Sequence, residues 1–124
     1  MNNMFLNLSN HPSASWEEAQ LRAAAVYGKI VDLPFPAVNP TGDERYIEKL
    51  ADEYFGKVWL LVEDENTTVH LMGEMTLTVA ILKRLELMGI PCVASTSKRM
   101  VKEDCFGYKE VIFKFERFRK YNLE

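Results

Sequence analysis

The sequence predicts an α/β protein, a Rossmann-like three-layer sandwich built on a mostly parallel sheet. Two observations predict this class: short apolar runs alternate with stretches of helical spacing, and only the last stretch changes to a period of two. The chain has 124 residues, 48 % of them hydrophobic and 27 % charged, which suits one domain over residues 1–124 with a single core. A net charge of −3 excludes a strongly basic protein that coats nucleic acid. No apolar stretch approaches the roughly 20 residues that cross a bilayer.

The first strand and helix follow from an apolar run and a capping pattern. Met4–Leu8 is apolar apart from one asparagine and predicts a strand. Ser15–Glu18 has the Ser-x-x-Glu form of a capping box, which predicts a helix running to about Tyr27, with Gly28 as its stop. Lys29–Leu33 is a second short apolar run and predicts the second strand.

Proline and a second capping pattern define the next connection. Prolines make Leu33–Pro40 an extended loop, and Thr41–Glu44 offers another capping box. Apolar residues then recur every three or four positions and predict one long helix over Asp43–Glu63. An alternative ends this helix early and makes Lys57–Val62 a strand. We favour the helix because its spacing continues through Gly56.

The second half repeats the alternation. Asn66–Thr68 is expected to be a loop, Val69–Met72 a buried strand, and Gly73–Thr76 the turn into a third helix that ends at Gly89. Ile90–Ala94 predicts the fourth strand.

Beyond the fourth strand the pattern changes. Ser95–Arg99 is expected to be a loop, followed by a terminal antiparallel hairpin that joins Arg99–Lys102 to the alternating run containing Val111, Phe113 and Phe115. Right-handed crossovers then give a strand order of 2-1-3-4, with the hairpin on the far edge. We expect Phe113 and Phe115 to serve in core and edge packing, together with Phe118.

In such a sheet, ligands bind beyond the carboxyl ends of the strands where the strand order reverses. Three loops meet at this point, and they contain short hydroxyl and amide side chains next to two helix N-termini, which together favour a phosphorylated ligand. The candidate residues are Ser9, Asn10, His11, Ser13, Gly73, Glu74, Thr76, Ser95, Thr96, Ser97, Lys98 and Arg99. Polar loops at strand ends are also normal without a ligand, and the Ser, Thr and Asn residues can instead cap helices for stability alone.

Three of these residues are candidates for catalysis. His11 suits proton transfer because its unperturbed pKa lies near neutrality, and Lys98 supplies fixed positive charge. Glu74 is a candidate base or ribose ligand, although a carboxylate at a helix start also favours the helix dipole. We expect His70, inside a buried strand pattern, to be a core residue, and Phe35 either stacks on a base or covers the sheet.

No cofactor or metal is predicted. The chain lacks the Gly-x-Gly-x-x-Gly fingerprint and a Walker sequence, and its two histidines have no nearby carboxylate. The two cysteines are too few for a disulfide framework, so we expect Cys92 in the core and Cys105 near a turn of a reduced, cytoplasmic protein. The first residues lack the pattern of a signal peptide.

Several stretches together resemble small single-domain proteins of the CRISPR-associated Rossmann-like sensor and ring-nuclease family. They are Phe5–Pro12 (Phe-Leu-Asn-Leu-Ser-Asn-His-Pro), Asp32–Pro36 (Asp-Leu-Pro-Phe-Pro), His70–Thr76 (His-Leu-Met-Gly-Glu-Met-Thr) and Ala94–Arg99 (Ala-Ser-Thr-Ser-Lys-Arg). The resemblance implies binding of a cyclic oligoadenylate, with metal-free cleavage by an adjacent ribose 2′-hydroxyl in those members that cleave. It implies contacts from Ser9, Asn10, His11, Thr76, Ser95, Thr96, Lys98 and Arg99. It also implies a C2 homodimer, whereas a membrane or a long nucleic acid is not expected as a partner.

Two departures from that family are expected: a fused effector domain is not expected, and no unique catalytic residue can be matched. Two other functions therefore stay open. One is a nucleoside-processing transferase or hydrolase that uses Glu74. The other is a non-catalytic interaction module that uses the sheet edge or a basic tail of Lys114, Arg117, Arg119 and Lys120.

Overall fold

The structure is a computed structural model that describes residues 3–62 and 66–121. Its elements are β1 (Asn3–Ser9), a 3₁₀ turn (Ser13–Ser15), α1 (Glu18–Tyr27), β2 (Lys29–Asp32), α2 (Glu44–Val62), β3 (Asn66–Met72), α3 (Met75–Leu87), β4 (Cys92–Glu103) and β5 (Lys109–Lys120). They form one five-stranded sheet in the order β2-β1-β3-β4-β5. The first four strands in this order are parallel and β5 is antiparallel to β4, as the sequence predicts.

Alternation along the central strands creates the three layers. Leu6 and Leu8 of β1 lie in a core cluster with residues of α2 and α3. Phe5 of the same strand faces the other way and packs with Ala24 of α1, Trp16 and the β5 residue Phe118. Because successive side chains of a strand point to opposite faces, one buried strand supplies both cores.

The start of β3 corrects one expectation. Asn66–Thr68, predicted as a loop, belongs to the strand, and β3 pairs with β1 from Asn3↔Asn66 to Ser9↔Met72. Thr67 is buried, so the polar character of this stretch does not reflect exposure to solvent. The strand is long because β1 offers it a complete parallel partner.

The two predicted capping boxes are wrong in detail, although both helices form. Ser15 lies in the 3₁₀ turn and its hydroxyl donates to the carbonyl of Pro12, and α1 begins without a side-chain cap. At α2, the Asp43 carboxylate accepts from the Tyr46 N–H at 2.9 Å and so caps the helix, whereas the Thr41 hydroxyl donates to Asn39.

The long helix itself is confirmed. α2 runs without a break over Glu44–Val62, so the alternative strand at Lys57–Val62 is excluded. Glu63, the last residue of the predicted helix, lies outside the described residues. Across the described ranges, no helix is long and apolar enough to cross a membrane. Cys92 is buried and Cys105 is exposed, both as free thiols, as predicted.

The predicted loop at Ser95–Arg99 is wrong, because β4 continues through it to Glu103. β4 pairs with β3 only at Val69↔Cys92 and His70↔Val93, whereas its ladder with β5 extends from Val93 to Glu103. We call this two-stranded extension, residues 94–103 with 109–119, the ribbon. A ladder satisfies backbone groups whatever the side chains, so a polar stretch can extend a strand where a partner strand is available. The ribbon projects past the carboxyl ends of the parallel strands.

Candidate functional site

A row of three polar side chains crosses the sheet near the carboxyl ends of its strands. Asp32 on β2, Asn7 on β1 and His70 on β3 occupy matching register positions. The Asn7 amide nitrogen donates to Asp32 Oδ1 at 2.9 Å, and its Oδ1 lies 2.8 Å from His70 Nδ1. Since this oxygen can only accept, His70 carries its proton on Nδ1, and Nε2 is left as an acceptor. We call these three residues the polar row.

His70 is the buried end of the polar row. Its side chain is 2 % exposed, and the rings of Trp16 and Phe118 lie 5.4 and 5.3 Å from it between centroids. Burial, with a smaller contribution from the charge of His11, lowers the pKa of His70 to about 4. The imidazole is therefore neutral at pH 7. Its buried Nε2 has no hydrogen-bond partner among the described residues.

The loop after β1 is tied to the polar row. The buried Ser9 hydroxyl donates to Asn7 Oδ1 at 2.7 Å, and the Ser13 hydroxyl donates to Asp32 Oδ2 at 2.9 Å. The His11 carbonyl accepts from the Asn7 side chain at 2.9 Å and from the Trp16 indole at 3.2 Å. Ser9 and Ser13, two predicted ligand contacts, thus fix the loop and leave the His11 imidazole at the surface.

The two histidines border one cavity of about 210 Å³ on the α1 side of the sheet. We call it the histidine cavity. Its lining residues are His11, Ser15, Trp16, Glu17, Gln20, His70, Ser95, Phe113 and Phe115. The cavity combines a neutral buried imidazole, an exposed one and two aromatic rings of the ribbon. Of the predicted site residues, it brings together His11 and Ser95.

A bulge decides which ribbon residues face this cavity. Thr96 pairs with Arg117 but Ser97 pairs with Phe115, so Glu116 is an extra residue in β5. Residues directly opposite in a ladder share a face. Ser95, Ser97 and Arg99 consequently share the cavity face with their partners Phe118, Phe115 and Phe113.

The remaining predicted ribbon residues lie on the opposite face. Lys98 pairs with Lys114 there, and the Thr96 hydroxyl bonds the backbone of Arg117. The predicted cluster of three hydroxyls, a lysine and an arginine is therefore divided between two faces. Because a strand alternates, five consecutive residues cannot all contact one ligand from one side.

The predicted binding loop at residues 73–76 forms a site separate from the histidine cavity. Glu74 caps α3 by accepting from the N–H groups of Thr76 and Leu77 at 3.0 and 2.9 Å, and the Thr76 hydroxyl also donates to it. The Leu77 hydrogen bond, followed by those of Thr76, lowers the pKa of Glu74. Glu74 and Thr76 border a groove of about 660 Å³ between α2 and α3, and this groove contains none of the ribbon residues.

Phe35 fills the crevice where the strand order reverses. Its ring is buried and packs against Gly73, where an added Cβ would lie 2.4 Å from the ring. The Phe35 N–H donates to the Ser9 carbonyl at 3.2 Å, which fixes this loop along the end of β1. The structure thus places Phe35 as a cover of the sheet. Asn10 borders a small pocket of about 210 Å³ beside Phe35 and Asp32.

Sequence reasoning did not assign a role to Asn7, it considered Asp32 only as part of the Asp32–Pro36 loop that would hold a base in the nucleoside-processing alternative, and it placed His70 in the core. The available signal was position: Asn7 is polar within an apolar run, and Asp32 and His70 lie at corresponding points of the two strands on either side of β1. No group of three or more possible metal ligands occurs within residues 3–62 and 66–121.

Comparison with known proteins places the chain in a family. Residues 3–119 match the family model described as the uncharacterized protein MJ1673 family, which is most of the chain. The chain belongs to the MJ1673 family. No curated protein and no solved structure matches it. The part shared with the MJ1673 family runs from β1 almost to the end of β5 and includes the polar row, the histidine cavity and the ribbon.

Proposed function

We propose that this chain binds a phosphorylated nucleotide in the histidine cavity, and that its ligand is a cyclic oligoadenylate. The observation that carries the proposal is the pairing of His11 and His70 at one cavity, with Nε2 of His70 buried and unpaired among the described residues. A buried acceptor without a partner is costly, and a ligand donor such as a ribose hydroxyl would satisfy it. The resemblance in the sequence suggests the ligand class.

The surroundings of the cavity suit the other parts of a nucleotide. Phe113 is 61 % exposed on the cavity face, and unstacked bases bind to aromatic rings of this kind. Arg99 lies opposite Phe113 in the ladder, and a guanidinium binds phosphate through two parallel hydrogen bonds. Because His70 is neutral, it carries no charge that would attract the phosphate. Its Nε2 is a hydrogen-bond acceptor and therefore suits a hydroxyl group.

If the ligand is also cleaved, the two histidines have distinct roles. The ribose 2′-oxygen forms a bond to the adjacent phosphorus while the bond from phosphorus to the 5′-oxygen breaks. His70 Nε2 takes the 2′-hydroxyl proton, and His11, as the general acid, gives a proton to the leaving 5′-oxygen. Because Nε2 is buried, the hydroxyl reaches it only after a small shift of the cavity wall.

A thermal-shift titration with cyclic tri-, tetra- and hexa-adenylate tests the proposal. A ligand at 100 times its dissociation constant adds about 2.7 kcal/mol and moves the unfolding midpoint by several degrees. Arg99→Ala should abolish most of this shift, whereas its neighbour Lys98→Ala, on the opposite face, should keep it. Chromatography of the incubated ligand then separates binding from cleavage.

Two results would contradict the proposal: no shift with any cyclic species, or equal losses in the two variants. A shift without a linear product would leave a binding protein that does not turn over its ligand. We expect the protein to act in the cytoplasm, because Cys105 is an exposed free thiol of a kind that reducing compartments preserve.

A nucleoside-processing enzyme based on Glu74 receives no support from this geometry. Its carboxylate is occupied by two backbone N–H groups and one hydroxyl, so its lone pairs serve the start of α3. The interaction-module alternative is favoured by one observation, the apolar residues exposed along the ribbon.

A further inference from the structure

β5 is the last strand of the sheet, and no described strand pairs with its outer edge. Exposed edges of this length are normally protected by charge, a bulge or a cover. Here the part before the bulge, residues 109–115, keeps Val111 at 46 % and Phe113 at 61 % exposed. An edge strand with uncovered apolar side chains is a template for another strand.

The sequence of this segment is complementary to itself in one antiparallel register. When two copies pair about a two-fold axis at Ile112, Ile112 lies opposite the partner's Ile112 and Val111 lies opposite the partner's Phe113. Glu110 then lies opposite the partner's Lys114, twice by symmetry. Opposite charges and apolar pairs directly across an antiparallel ladder both stabilise it.

Neighbouring registers are less favourable. An axis at Phe113 places Glu110 opposite the partner's Glu116, and it also includes the bulge. An axis at Lys114 places two lysines directly opposite each other. Like charges in this position destabilise a ladder. An axis at Val111 places Glu110 opposite the partner's Ile112 and forms no pair of opposite charges, so the axis at Ile112 is the most favourable of these four.

We propose that two copies of this chain pair antiparallel along β5 around Ile112 and so join their sheets at the ribbons. Both copies then turn the same face of the sheet to the same side. The partner's Lys109 lies opposite Phe115, a wall of the histidine cavity, and adds a cation there. This pairing does not rest on the proposed ligand, although it would place two cavities on one face for a ligand with two-fold symmetry.

Charge exchange tests the register in sedimentation velocity or light scattering. Glu110→Lys and Lys114→Glu should each weaken the dimer about tenfold or more, because two attractive pairs become repulsive. The double variant E110K/K114E should restore dimerisation, since the pairs are re-formed with reversed sign. Lys120→Glu carries the same charge change on the same strand but outside the paired segment, and it should have no effect.

A disulfide test gives a second measurement that does not depend on affinity. In a Cys105→Ser background, Ile112→Cys should form a cross-linked dimer on mild oxidation, because opposite Cα atoms in an antiparallel ladder lie about 4.5–5.5 Å apart. Lys120→Cys should not form one. The proposal is overturned by a monomer at high concentration, by single charge variants that still dimerise, or by a double variant that is not rescued. None of these measurements involves a nucleotide, so failure of the dimer proposal can be distinguished from failure of the ligand proposal.

Discussion

Asn7 and His70 lie directly opposite each other on β1 and β3, and their side chains are joined by a hydrogen bond of 2.8 Å in the buried sheet. The same Asn7 amide also donates to Asp32 and to the His11 carbonyl. One side chain thereby fixes the tautomer of His70 and the start of the loop that carries His11. The stability of the fold and the geometry of the candidate site depend on the same contacts.

Replacing Asn7 should therefore be costly. Asn7→Ala leaves His70 Nδ1 without its acceptor and the buried Ser9 hydroxyl with only the His11 carbonyl at 3.2 Å, and it should lower the free energy of unfolding by about 2–3 kcal/mol. Urea denaturation measures this value. Asn10→Ala, a matched change at an exposed position just after β1, should cost less than about 0.5 kcal/mol. Similar losses in the two variants would show that the polar row contributes little.

The buried His70 predicts a pH dependence of stability. Its pKa is lowered from 6.5 to about 4, so the unfolded chain binds this proton at a higher pH than the folded protein does. The free energy of unfolding should be independent of His70 above pH 6.5. It should decrease by about 3 kcal/mol as the pH falls from 6.5 toward 4. His70→Gln should flatten this part of the profile, and His11→Gln should keep most of it. A profile unchanged by His70→Gln would contradict the assignment.

Gly73 should not tolerate a side chain. An added Cβ would lie 2.4 Å from the Phe35 ring, so Gly73→Ala should destabilise the protein by about 1–3 kcal/mol as the covering loop is displaced. Gly56→Ala is the control, because nothing lies within 4 Å of its added Cβ and it sits inside α2. That variant should stabilise the protein by about 0.5–1 kcal/mol. Thermal unfolding of both variants decides whether packing or chain flexibility dominates at Gly73.

Glu74 should behave as a helix cap. Glu74→Ala removes the acceptor of the first N–H groups of α3 and should lower stability by about 1 kcal/mol, while nucleotide binding at the histidine cavity stays unchanged. Glu53→Ala, an exposed position inside α2, should have little effect on either quantity. Loss of ligand binding in Glu74→Ala with intact stability would instead support a direct contact.

The sequence predicts strand order well because the apolar runs that mark parallel strands are local signals. It fails at the ribbon, since Ser95–Arg99 looks like a loop until Phe115 and its neighbours are paired with it. It fails at the polar row for the same reason: Asn7, Asp32 and His70 are far apart in the chain and meet only through register. The chemistry of a single residue can be assigned locally, whereas the partner that defines its role cannot.

The extra residue Glu116 has a consequence for how this protein can change. It reverses the parity of β5, so that Phe115 and Phe118 point to the same side although three positions separate them, with ring centroids 4.9 Å apart. If β5 paired without the bulge, Glu116 would lie opposite Ser97, and Ile112 and Lys114 would take the face that Val111 and Phe113 now occupy. Removing Glu116 itself would give a regular ladder and keep the present faces. A change of pairing at this one position would therefore exchange one recognition surface for another while leaving the helices and the parallel strands untouched.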